Sequence, residues 1–86
     1  MAIQAVPSDR PIAVKRKQGQ TVTISNPGAV DVYFDGDYNV LAATLKGAVP
    51  NGTKIAAGTA SFQFPEWPDD RMFFRAAQDT TIFIEP

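Results

Sequence analysis

Thr21-Val22-Thr23-Ile24-Ser25-Asn26-Pro27-Gly28-Ala29-Val30-Asp31-Val32-Tyr33-Phe34 is the stretch that decides the fold class. Val22 and Ile24 alternate with Thr21, Thr23 and Ser25. Val30, Val32 and Phe34 alternate with Asp31 and Tyr33. A two-residue period puts each apolar set on one face of a strand. Asn26-Pro27-Gly28 between the runs is a turn signal, because Pro presets φ and Gly accepts positive φ. The two runs are expected to pair as a β-hairpin.

The same alternation recurs on both sides of this stretch. Ile12 and Val14 form a short run. Lys54 to Ala57 and Ala60 to Phe64, with Phe62 and Phe64 inward, follow the Pro50-Asn51-Gly52 turn and are separated by Gly58. Met72 to Ala76 and Thr80 to Ile84 close the chain around a Gln78-Asp79 turn. Short strands at this spacing predict an all-β fold, a small antiparallel β-sandwich or barrel of jelly-roll type. Residues 12–86 form its single domain. Residues 1–11 hold Pro7 and Pro11 with few large apolar groups, so they read as an extended N-terminal arm that orders only on docking. Asp37 to Gly47 admits two readings. Asp37 can N-cap one or two helical turns with Leu41 and Leu45 stacked and Gly47 at the C-cap, or Asn39 to Ala43 can form a strand. Strand or loop is favoured.

The chain has no Cys and no His in 86 residues. That removes the commonest general base, the commonest metal ligand and the strongest neutral-pH nucleophile. No enzyme activity, cofactor or metal is expected. A domain this small gains modest stability from one core, and without disulfides the expected compensation is oligomerisation or docking. No basic-then-apolar leader and no apolar run long enough for a bilayer are present, so a soluble, cytoplasmically made protein without membrane contact is expected. Residues 1–20 carry Arg10, Lys15, Arg16 and Lys17 against Asp9, whereas the remainder is acidic. Lys15, Arg16 and Lys17 thus read either as a solvated strand end, the favoured reading, or as a group that suits docking on an acidic surface. The acidic balance and lack of a basic, aromatic-interleaved stripe argue against direct nucleic-acid binding.

Other motifs read as turns. Asp35-Gly36-Asp37-Tyr38-Asn39 spaces oxygen side chains as calcium loops do, but the places for the EF-hand Gly and Glu hold Val40 and Lys46. Asn51-Gly52-Thr53 matches a glycosylation sequon, yet Asn-Gly is sufficient as a turn. Asp69-Asp70-Arg71 is a turn with a local ion pair. Trp67, stiffened between Pro65 and Pro68, either plugs one end of the sandwich or projects as an interface anchor. Tyr33 and Tyr38 have the same two readings. Phe73 and Phe74 are adjacent and point to opposite faces, so one of them needs a second cover.

The layout Thr21 to Phe34, then Asn51-Gly52-Thr53-Lys54-Ile55-Ala56-Ala57-Gly58-Thr59, then Arg75-Ala76-Ala77 and Ile82-Phe83-Ile84, resembles small β-rich virion proteins of tailed bacteriophages. The resemblance spans about three-quarters of the chain, roughly residues 20–86. It implies a non-enzymatic structural protein of the virion, of the capsid decoration or cement type, bound to the major capsid protein and forming a dimer or trimer. Ile3 and Val6 in the arm, Lys15, Arg16 and Lys17 behind it, and Tyr33, Tyr38 and Trp67 are the interface candidates. The alternatives are a neck, tail or fibre protein, or a β-sandwich carbohydrate-binding module using Trp67, Tyr33 and Tyr38 as a stacking platform.

Overall fold

In the computed structural model, which describes residues 2–45 and 48–85, the alternating runs become strands of two sheets. The strands are β1 (Ala2–Val6), β2 (Ile12–Lys15), β3 (Val22–Asn26), β4 (Val32–Asp35), β5 (Thr53–Ile55), β6 (Thr59–Phe64), β7 (Arg71–Ala76) and β8 (Thr80–Glu85). One helix, α1 (Tyr38–Ala42), lies between β4 and β5. One sheet has the order β1-β8-β3-β6 and the other β2-β7-β4-β5, with every pairing antiparallel. Every connection except β4 to β5 changes sheet. This is the strand order of a jelly roll.

The expected hairpin across Asn26-Pro27-Gly28 does not form. β3 pairs with β6 and β8, whereas β4 pairs with β5 and β7. A hairpin would put Val22, Ile24, Val32 and Phe34 on one surface in need of a cover. With the strands in opposite sheets, the two apolar faces cover one another. Asn26 holds the crossover. Its side chain is buried and Nδ2 donates to the carbonyls of Val30 and Ile55, each at 3.0 Å. The Met72 to Ala76 and Thr80 to Ile84 runs, β7 and β8, likewise lie in opposite sheets.

The N-terminal residues are not a free arm. Ala2 to Val6 pair residue by residue with Ile84 to Thr80, and Val6 is 1% exposed. Main-chain pairing with β8 supplies the order that the sparse side chains could not. Beyond β1, Ser8 donates through N and Oγ to Asp79 Oδ1, at 2.8 and 3.0 Å, and Ala76 N donates to the Pro7 carbonyl.

Within Asp37 to Gly47, where strand or loop is the favoured expectation, Tyr38–Ala42 is helical. Asp37 Oδ1 accepts from Asn39 N at 2.9 Å, the N-cap arrangement, and Leu41 is buried beneath the turn. Leu45 stays exposed, and Gly47 lies outside the described residues. The helix covers part of the outer face of the β2-β7-β4-β5 sheet, where the Tyr38 ring meets Phe73 edge-on with centroids 5.5 Å apart. That contact supplies the second cover that Phe73 needed, while Phe74 is in the core.

Arg75, also on that outer face, is 3% exposed. Its Nη1 donates to the Leu41 and Thr44 carbonyls at 2.6 and 2.7 Å, and Nε and Nη2 donate to Ser8 O at 3.1 and 3.0 Å. The planar fork thus binds the end of α1 and the β1–β2 connection together, and the cation sits favourably by the helix C-terminus. Arg75→Lys keeps the charge but loses the fork, and is expected to lower stability by about 1–3 kcal/mol, measured by urea unfolding. Gly52 is constrained by space. A Cβ there would collide with the Phe34 carbonyl oxygen and lie 2.8 Å from Leu41 Cδ2. Gly52→Ala is therefore expected to cost about 1–3 kcal/mol in the same measurement.

Candidate interaction surface

The two sheets present different chemistry outward. The strands of the β2-β7-β4-β5 sheet carry Lys15, Asp35, Lys54, Arg71 and Arg75. Those of the β1-β8-β3-β6 sheet carry a single charge, Glu85 at the end of β8. Alternation sends Val6, Val22, Ile24, Ile82 and Ile84 into the core. It leaves Ile3 and Ala5 of β1, Thr81 and Phe83 of β8, Thr23 and Ser25 of β3, and Ser61 and Gln63 of β6 on the outer face.

Phe83 is the centre of this face. It pairs with Ile3 on one side and Ser25 on the other. Ile3 is 73% exposed and Phe83 half-buried. Beside Phe83 runs a shallow groove of about 130 Å³ lined by Thr23, Ser25, Ala60, Phe83 and Glu85. A face of mostly small, uncharged side chains around two large apolar ones, with Glu85 its one charge, loses little on desolvation, which suits contact with another protein.

A second concavity, an open cleft of about 270 Å³, lies at the end of the sandwich. It is lined by Ala29, Val30, Asp31, Tyr33, Val49, Ala77 and Gln78. One carboxylate oxygen of Asp31 is engaged by Ala57 N at 2.7 Å.

The sequence-derived candidates are not brought together. Ile3 lies on the uncharged face, but Val6 is in the core. Lys15 pairs with Arg71 on the opposite sheet, Arg16 Nη1 donates to the Lys15 carbonyl, and Lys17 is exposed in the following loop. Tyr33 is almost covered at the cleft and Tyr38 is on α1. Trp67 is 0% exposed, which settles it as a plug. Its ring packs edge-on against Phe64 at 5.0 Å, and its main chain bonds to Gly19 and Gln20.

Phe83, Thr23, Ser25 and Ala60 were missed from the sequence. Their signal, strands almost free of charge, becomes visible only when those strands are known to share one sheet. Asp35 and Asp37 each accept from the main chain two residues on, a pair of tight turns. Among the described residues no group of three or more His, Cys, Asp or Glu could hold a metal ion, and no helix is long and apolar enough to cross a membrane.

Comparison with family models, curated proteins and solved structures returns no match.

The plug role has a measurable consequence. Trp67→Ala is expected to lower stability by about 3–5 kcal/mol through the cavity it leaves. Among the described residues Trp67 Nε1 has no hydrogen-bond partner, so Trp67→Phe is expected to cost clearly less than Trp67→Ala, both read by thermal unfolding.

Proposed function

We propose that this chain is a non-enzymatic structural protein of a bacteriophage virion, of the capsid decoration or cement type. In this reading it docks on the major capsid protein through the outer face of the β1-β8-β3-β6 sheet. The observation that supports the reading is the charge asymmetry of the two sheets, with one charged residue on the strands of one and five on those of the other. A subunit that coats a large shell is served by one face that loses little on desolvation and another that carries exposed charge, here Lys15, Lys54 and Arg71. A cysteine-free fold pinned by hydrogen bonds also assembles without an oxidant.

A second reading rests on the cleft around Tyr33. The tyrosine ring, the Asp31 carboxylate and the Gln78 amide could hold a small polyol such as a sugar unit. A flat aromatic platform is not part of that reading, because Trp67 is buried and Tyr38 packs on Phe73.

Co-sedimentation with purified particles of the phage that encodes the chain separates the two. Phe83→Glu is expected to abolish particle binding while the melting temperature stays within a few degrees of the parent. Lys15→Glu, on the other sheet, is expected to bind normally. If Phe83→Glu binds as the parent does, the face is not the docking surface. Chemical-shift changes at Tyr33 and Gln78 on adding monosaccharides, with no particle binding by the parent, would establish the second reading instead.

A further inference from the structure

Four strands form the edges of the two sheets, β1 and β6 in one and β2 and β5 in the other. An open edge invites another strand, and proteins usually block it with a lysine, a bulge, a proline or shortness. β2 has four residues, carries Lys15 and runs on into Arg16 and Lys17. β5 has three residues and carries Lys54. β6 shifts register against β3 between Ile24 and Asn26. β1 has none of these devices. It is five uncharged residues, Ala2-Ile3-Gln4-Ala5-Val6, in unbroken register with β8, and Pro7 comes only after its end.

We propose that β1 is a homotypic pairing edge. A second copy of this chain adds its own β1 antiparallel to the first, across a two-fold axis at Gln4, and the two four-stranded sheets become one of eight strands. The occupant follows from the strand itself. In this register Ile3 lies opposite Ala5 of the second copy, Ala2 opposite Val6, and Gln4 opposite its own counterpart. A large residue meets a small one on each face, and no like charges oppose. β5 paired with itself about its centre would instead set Lys54 opposite Lys54.

A two-fold axis perpendicular to the sheet keeps both outer faces on the same side. The Ile3 and Phe83 side chains of the two copies then join into one apolar patch, and the 73% exposure of Ile3 is relieved against Ala5 of the second copy. Each copy presents the same segment, as an isologous contact requires. The exposed bond from Gln4 Nε2 to the Ala5 carbonyl, 2.9 Å, is the local contact that the incoming strand exchanges for main-chain pairing. The pairing does not depend on the docking reading above, and it is measured without particles.

Sedimentation equilibrium of the full chain tests it. The parent is expected to show twice the 9.3 kDa chain mass. The Ile3→Lys/Ala5→Lys double variant, which sets lysine opposite lysine, is expected to sediment as a monomer. Because the chain has no cysteine, Gln4→Cys is a clean register probe that remains informative should the double variant unfold. Mild oxidation is expected to cross-link it to a second copy, whereas Ser61→Cys on the far edge is expected to remain uncross-linked. A parent that stays monomeric up to millimolar concentration overturns the proposal. So does a dimer in which Gln4→Cys cross-links no better than Ser61→Cys.

Discussion

A jelly roll of this size depends on holding its crossovers. Six of its seven connections pass from one sheet to the other, and no disulfide fixes any of them. Arg75 answers this constraint most directly. A guanidinium stays charged and has no acceptor capacity, so burying it is costly unless its donors are bonded. Here the donors reach carbonyls on two separate connections, at Ser8 and at the end of α1. Asn26 does the same for the β3–β4 crossover, and the main chain around Trp67 does it for the β2–β3 turn. Charge-assisted and amide bonds to otherwise orphaned carbonyls act where a larger protein would rely on a larger core.

This arrangement separates the surfaces. α1 and Arg75 belong to the outer side of the β2-β7-β4-β5 sheet, whose strands also carry most of the strand charges. Among the described residues the β1-β8-β3-β6 sheet carries no such covering, and its outer side chains are uncharged apart from Glu85 and small apart from Ile3, Gln63, Phe83 and Glu85. The face proposed for docking and the edge proposed for self-pairing meet at β1. Ile3 belongs to both.

The candidate site was only partly legible. Ile3 could be singled out as an apolar residue in a stretch with few others. Phe83 could not, because a Phe between two Ile in a closing strand looks like one more core residue until its neighbours are known. The basic Lys15 to Lys17 run drew attention for its charge, yet β2 pairs with β7 and places it away from the uncharged face.

By itself the sequence determined the all-β class, most strand positions and the turns, because two-residue alternation and Gly, Pro, Asn and Asp act over a few residues. It also determined that no disulfide could form. Only the tertiary structure decided which strand lies beside which. Alternation specifies that a strand has an apolar face, not whether that face is covered by the next strand's sheet or shares a sheet with it. The Asn26-Pro27-Gly28 stretch therefore became a crossover, and the supposed arm became an edge strand on β8. Trp67 became a plug for the same reason, since burial depends on neighbours distant in sequence.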